Sequence, residues 1–394
     1  MQKTRGIQYS KLGVISLAHM LNDLYSNYLP QLLPFLVVLH QGFTATRAAI
    51  LVSTFSITSS FAQPFFGYFL DRQSKRWLLY VGTLWMAVML SLTGIVESYW
   101  TIVLLAALAG LGTAAFHPQA STMVNVLSGD YKAVLLSAFV GFGNIGFALG
   151  PLLLVPLFQA YGLKATLVTV IPGIIVAFLL YFFSPRNALL TGASPDLAAV
   201  WISVKAARRE LFAIISVIAI RSLSYTGMLT MLPLYFQSQN ISNITASRLL
   251  TLMLFTGAVG GLMGGFISDY YGRKRLIVGS LVLSTPLFFI FFYTDGIVSI
   301  IFLALAGATL LSSFSVTVIA TQEAIPDNKA LAAGLSMGLA GGIGGLAVIS
   351  IGWIADIWGL SSAVIVIFLL PVVAGLVALL MKSRPAARHQ RNHA

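Results

Sequence analysis

Apolar positions in this chain come in long unbroken blocks. They show neither the every-other-residue alternation of a strand nor the one-sided stripe of a soluble helix. Twelve blocks can be marked off. The first six cover 12–38, 46–70, 77–96, 99–126, 132–158 and 164–184; the second six cover 210–237, 245–268, 275–294, 297–323, 329–356 and 360–381. At a helical rise of 1.5 Å per residue, each block reaches across a hydrocarbon core of about 30 Å. The pattern therefore predicts an all-α membrane protein with twelve transmembrane helices. One long polar stretch, 185–209, carries Lys205, Arg208 and Arg209 and falls near the midpoint. It reads as a linker, so the expected organisation is a six-helix half over 1–184, a cytoplasmic linker over 185–209, and a second six-helix half over 210–394 with a short basic tail.

Composition sharpens this picture. Of 394 residues, 58% are hydrophobic and only 9% are charged, where a soluble domain carries about 25% charged residues. So little polar surface cannot cover a globule in water. In lipid a chain must close its own backbone hydrogen bonds, and long continuous apolar runs do so as helices. The stretch through Lys11 is basic, and the apolar run after it is long, contains Asp23 and lacks a small-residue cleavage site, so it reads as a retained first helix. There are no cysteines, which excludes a disulfide framework and a thiolate metal site. The net charge of +12 is explained by placement. With twelve spans, nineteen lysines and arginines fall on the side of the termini, and Arg47, Lys164 and Arg248 fall on the other. That asymmetry assigns both termini to the cytoplasm and leaves no need for a nucleic-acid partner.

The two halves repeat. Gly67, Asp71, Lys75 and Arg76 recur as Gly265, Asp269, Arg273 and Lys274, each 198 residues later, in the loop after the second span of each half. The same offset carries Gly143 onto Gly341 and Gly146 onto Gly344. Parallel repeats of a six-helix unit are a transporter signature, with the substrate site near the midplane. On this doubled G-x-x-x-D-R/K-x-G-R/K-R/K pattern, the chain resembles the major facilitator superfamily over its whole length. Ser74 and Tyr270 depart from the pattern. The resemblance implies that Asp71, Arg72 and Arg76, with Asp269 and Arg273, serve a cytoplasmic gate. It also implies a monomer, and it implies that the first, fourth, seventh and tenth spans line a central cavity. The residues alone also allow these charges simply to anchor two short cytoplasmic turns.

A narrower resemblance rests on Ala18-His19-Met20-Leu21-Asn22-Asp23, Phe116-His117-Pro118-Gln119, Thr321-Gln322-Glu323 and the glycine-rich run 338–345. These are similar to the fosmidomycin-resistance family of drug/proton antiporters. That family implies bacterial origin, location in the inner (plasma) membrane, efflux, and the proton as coupling ion. The fifth span partly matches a drug-antiporter pattern through Gly146, Gly150 and Pro151, with Ser137 in place of its first glycine and Leu154 and Val155 in place of its last two. Ordinary helix packing accounts for these glycines equally well.

Ionisable residues deep inside a span are costly and usually face a cavity or a partner. Asp23 stands about 17 Å into the first span and Arg221 at a similar depth in the seventh; they are again 198 residues apart. With the family's cavity, they are expected to face each other. Movement of Arg221 relative to Asp23 would then change how strongly Asp23 holds a proton, and Arg221 would suit an anionic substrate group. A static ion pair between helices is the plain alternative. His19, Asp23, Ser26 and Asn27 share a helical face at i, i+4, i+7 and i+8, and Asn22 belongs to the same motif. His19 and His117 are candidates for proton relay or for contact with an anion, or for packing, and His117, Asn22 and Asn27 are counted as substrate-binding candidates. Tyr225, Gln63, Asn144 and Gln322 are candidates for polar lining. Glu323 is counted with them, although its depth also suits a gate, as does that of Asp356.

No Walker loop, nucleophile elbow or spaced metal-ligand motif is present, so no cofactor, metal or enzymatic activity is expected. The expected partners are a small-molecule substrate, protons and the lipid bilayer. The favoured reading is proton-coupled export of small antimicrobial or anionic compounds such as fosmidomycin. A proton symporter importing an organic anion or sugar-like nutrient is the alternative, and a non-transporting receptor is the remote one.

Overall fold

The structure is a computed structural model that describes residues 8–39, 41–72, 75–128, 131–185, 197–328, 331–332 and 334–383; the side chains of 67–72, 125, 132–134 and 197–200 are also outside the description. The helices are α1 (Tyr9–Ser26), α2 (Tyr28–Leu39), α3 (Ala45–Arg72), α4 (Trp77–Ser91), α5 (Tyr99–Leu127), α6 (Lys132–Tyr161), α7 (Val170–Phe183), α8 (Leu197–Ala206), α9 (Arg208–Ser238), α10 (Asn243–Tyr271), α11 (Arg273–Tyr293), α12 (Gly296–Ala324), α13 (Ala340–Trp358) and α14 (Leu360–Ala378). A π-helical turn, Gly334–Leu339, leads into α13. No strand occurs among the described residues.

Eleven of these segments are long and apolar enough to cross a membrane. The first predicted block, 12–38, is the one missing from that count, because the chain breaks at Asn27 into α1 and α2. The cause is local. Pro30 has no N–H to bond the Ser26 carbonyl, so the helical ladder fails there. Asn27 steadies the break by donating Nδ2 to the Phe147 carbonyl at 2.9 Å and accepting from Gln31 Nε2 at 3.3 Å. The helices are apolar on their outer faces. Along α7, Ile174, Ile175, Phe178 and Phe182 are more than half exposed, while Gly173, Val176, Ala177 and Leu180 are buried. In water such a face would be an aggregation site; against lipid it is the expected surface.

The chain forms two compact units: Met1–Gln41 with Thr54–Ser194, and Gly42–Ser53 with Pro195–Ala394. By packing, then, the start of α3 groups with the second unit. Asp356, at the end of α13, explains part of this. Its Oδ1 accepts from the Ala45 backbone N–H at 2.7 Å and its Oδ2 from that of Thr46 at 3.0 Å. A carboxylate there satisfies two of the orphan donors at the α3 N-terminus and complements the helix dipole. Ser53 Oγ donates to the Gly345 carbonyl at 2.7 Å, which fastens the same segment further along.

Four helix pairs recur in both units. In the first, α1 packs on α6 and α7, and α4 packs on α5 and α7; in the second, α9 packs on α13 and α14, and α11 packs on α12 and α14. Matched glycines make one of these contacts possible. A Cβ on Gly146 of α6 would strike the Met20 carbonyl of α1, and one on Gly344 of α13 would stand 2.6 Å from the Ala219 carbonyl oxygen of α9. Small residues let membrane helices approach this closely.

The repeated loop also has a matched contact. Arg76 Nη2 donates to the Tyr181 carbonyl at 3.1 Å, at the end of α7, and Lys274 Nζ donates to the Leu379 carbonyl at 2.6 Å, at the end of α14. Donors and acceptors alike are 198 residues apart. The second basic residue of the motif thus caps the C-terminus of the sixth span in its own unit, where orphan carbonyls and the helix dipole favour a cation. Arg76→Met and Lys274→Met should each destabilise the fold by about 0.3–2 kcal/mol, read as a lower thermal unfolding midpoint in detergent. Unchanged midpoints in both variants would remove the capping account.

Candidate functional site

Beyond the i, i+4 neighbour His19, the deep ionisable residues have partners on other helices that no linear spacing revealed. In the first unit Asp23 of α1 sits between two imidazoles. His19, one turn earlier, places Nε2 3.4 Å from Asp23 Oδ2, and His117 of α5 places Nε2 3.5 Å from Asp23 Oδ1. His19 is buried, while Asp23 and His117 keep 18% and 25% of their side-chain surface open, enough for water or a ligand to reach them. The His19 ring stacks on Phe139 at a centroid distance of 4.0 Å and meets His117 edge-on at 5.1 Å.

A hydrogen bond to α6 decides the chemistry of His19. Its Nδ1 lies 2.8 Å from the Phe139 carbonyl oxygen. A carbonyl only accepts, so Nδ1 carries the hydrogen. In neutral His19 the Nε2 lone pair then points at the Asp23 carboxylate. Two lone pairs facing each other in a site of low polarity repel, and a proton or another cation between them removes the repulsion.

Gly143 of α6 makes room for this arrangement. A Cβ there would stand 2.5 Å from His19 Cε1 and 2.8 Å from its Nε2, and would overlap the Asp23 carboxylate. In sequence Gly143 stood out only through its repeat partner Gly341; its contact with Asp23 needed the fold.

In the second unit Arg221 of α9 is 2% exposed. Its Nη1 donates to Ser313 Oγ at 3.3 Å and to Thr317 Oγ1 at 3.1 Å, and its guanidinium carbon lies 4.9 Å from the Phe314 ring centroid. Both hydroxyls and the ring belong to α12. Among the described residues no carboxylate pairs with Arg221. Phe314 is the repeat counterpart of Phe116, so each unit sets the ionisable residue of its first span against the same register of its fourth. Tyr225, one turn beyond Arg221, is half-buried. The hydroxyls of Ser313 and Thr317 carried no sequence signal of their own, although the offset that matches Phe314 to Phe116 points to their neighbourhood.

Other candidates are placed elsewhere. Asn22 is fully buried and donates to Thr83 Oγ1 at 3.0 Å on α4, and Asn27 holds the break between α1 and α2; neither joins the Asp23 group. Gln63 and Gln322 are half-buried and Asn144 is exposed; among the described residues none of them hydrogen-bonds to the Asp23 group or to Arg221. Glu323 belongs with the loop charges rather than with a lining. Its Oε1 lies 3.4 Å from Arg273 Nε, and Arg273 Nη1 also pairs with Asp269 Oδ1 at 2.5 Å and donates to Ser268. Arg76 caps α7 and Asp356 caps α3, as described above. Asp71 and Arg72 close α3, but their side chains lie outside the described residues. Although the chain carries no spaced metal-ligand motif, three possible ligand atoms, from His19, Asp23 and His117, lie within 4.8 Å of one another. The sequence hid this because His117 is on another helix, nearly a hundred residues away.

Comparison with known proteins bears on the family and the fold. The model of the Major Facilitator Superfamily matches residues 15–247 and 217–394. An uncharacterized MFS-type transporter, YfnC of Bacillus subtilis, is 31% identical over 97% of this chain and 95% of its own length. The fosmidomycin resistance protein of Escherichia coli is 28% identical over 95% of this chain and 93% of its own. Among solved structures, the nucleoside transporter NupG superposes with a TM-score of 0.79 at 15% identity, covering 95% of this chain and 100% of that one. A bacterial homologue of the lysosomal transporter Spinster, inward-facing, gives 0.75 at 13%, covering 95% and 96%.

Gly143→Ala should destabilise the protein by about 1–3 kcal/mol through overpacking against His19 and Asp23. Gly141→Ala, two residues away with no atom near its would-be Cβ, should be neutral or slightly stabilising. Thermal unfolding of the two variants in detergent compares them directly, and equal midpoints would mean that Gly143 is not needed for space.

Proposed function

Because this chain belongs to the Major Facilitator Superfamily and is a membrane transporter, we propose that it is a proton-coupled exporter of small anionic or amphiphilic antimicrobial compounds in the bacterial inner membrane, working by alternating access as a monomer. The observation that carries the reading is the His19–Asp23–His117 group. A carboxylate deep in a span is costly to insert, and this one is held between two imidazoles whose arrangement calls for a shared proton or cation. In this reading Asp23 carries the coupling proton, His19 orients it through the Phe139 carbonyl, and half-open His117 passes it on.

Arg221 supports the anionic part of the substrate. A buried guanidinium held by two hydroxyls and an aromatic face keeps unused N–H donors in a fork that matches phosphonate or carboxylate oxygens. The substrate class is supported further by the similarity to the fosmidomycin resistance protein over nearly the whole chain. Asp356 and the Asp269–Arg273–Glu323 group fit the role of gates, since both tie helix ends together through charges that a conformational change can break.

Proteoliposomes with an imposed pH gradient and a phosphonate such as fosmidomycin test the proposal. Flux should run against the proton gradient and stop responding to it in Asp23→Asn. Arg221→Gln should weaken transport of anionic compounds about tenfold or more, the equivalent of one charged hydrogen bond. Flux of the unaltered protein that ignores the gradient, or that follows the protons inward, sinks the export reading.

A further inference from the structure

We propose that His19, Asp23 and His117 form a binding site for a divalent transition-metal ion of the zinc, cobalt and nickel class, with Nε2 of both histidines and a carboxylate oxygen of Asp23 as ligands. The inference rests on side-chain geometry alone and is independent of transport direction and coupling ion.

The donor set comes first. Two imidazole nitrogens and one carboxylate oxygen suit borderline divalent ions, whereas magnesium and calcium prefer oxygen alone. Spacing agrees. Metal–ligand bonds of about 2.0–2.1 Å at tetrahedral angles put neighbouring donors about 3.3–3.4 Å apart. His19 Nε2 stands 3.4 Å from Asp23 Oδ2, His117 Nε2 stands 3.5 Å from Asp23 Oδ1, and one ligand atom of each residue lies within 4.8 Å of the others. Each imidazole faces its own carboxylate oxygen, so binding one ion draws the two nitrogens together around the carboxylate.

Lone-pair direction is the third point. The bond from His19 Nδ1 to the Phe139 carbonyl is the outer-shell contact that metal-ligating histidines commonly make: it sets the tautomer and leaves Nε2 as the ligand atom. Stacking on Phe139 keeps the ring in that orientation. The absence of a side chain at Gly143 keeps the Nε2 side of the ring clear. Three protein ligands leave a fourth tetrahedral position, and the partial exposure of Asp23 and His117 lets water fill it. With one carboxylate against a doubly charged ion, a net positive charge remains, so an anionic group is a favourable fourth ligand as well.

Cobalt(II) alone is the probe, because its visible spectrum distinguishes tetrahedral from octahedral sites. The full chain, purified in detergent without a histidine tag, carries glutamine in place of His40, His389 and His393, the only other histidines. One equivalent should bind with a tetrahedral spectrum. His117→Gln and Asp23→Asn should each weaken binding at least about tenfold, whereas Arg221→Gln should leave it unchanged. Carbethoxylation of histidines in the unsubstituted chain, mapped by mass spectrometry, avoids reliance on variants: cobalt should protect His117. Octahedral binding only, equal affinity in the variants, or an unprotected His117 overturns the proposal. Proton flux in metal-free proteoliposomes reads the coupling proposal separately, so either can fail without the other.

Discussion

Hydrocarbon cannot solvate a charge or a backbone amide, and the rest of this structure follows from that constraint. Helices satisfy the backbone internally. Where a ladder bond is missing, side chains take over: Pro151 has no N–H for the Phe147 carbonyl of α6, and Asn27 donates to it from the break between α1 and α2. At helix ends the same need brings in Asp356 for the N–H groups of α3, and Arg76 and Lys274 for the carbonyls of α7 and α14. Most charges in the described structure are at such ends. The two deep exceptions, Asp23 and Arg221, are each surrounded by polar or aromatic groups inside their own unit.

The two units use one packing scheme for two chemistries. Four helix pairs recur, and matched glycines at Gly146 and Gly344 bring the fifth span of each half against the first. On this shared frame the ionisable residue of the first span meets the fourth span at the same register in both units. In one it is a carboxylate among histidines, suited to bind a cation; in the other it is a guanidinium among hydroxyls, suited to bind an anion. Duplication preserves backbone geometry because helix contacts tolerate few changes, whereas a polar side chain on an inner face can diverge once its neighbours diverge with it.

Much of this was legible in the chain itself. Continuous apolar blocks gave the helices, because only helices or closed barrels span lipid and the blocks do not alternate. The constant offset of 198 residues revealed the repeat and singled out Asp23 and Arg221. His19 beside Asp23 was readable as an i, i+4 pair. The division of the first block at Asn27 was harder to read, since other prolines of this chain, Pro118 and Pro233 among them, stand inside unbroken helices, whereas at Pro30 the side-chain contacts of Asn27 steady a break.

Sequence by itself therefore determined which segments enter the membrane, that they form two copies of one unit, and which residues carry charge at depth. These depend on composition and on periodicity along a single helix. Only the tertiary structure decided what those charges touch. Asp23 meets His117 and Arg221 meets Thr317 across helix pairs separated by nearly a hundred residues. Glu323 turned out to join Arg273, and Asn22 to serve packing against Thr83. Contacts between helices depend on how deeply glycine-lined surfaces interlock and which way each helix is rotated, and neither is written in the order of residues along any one helix.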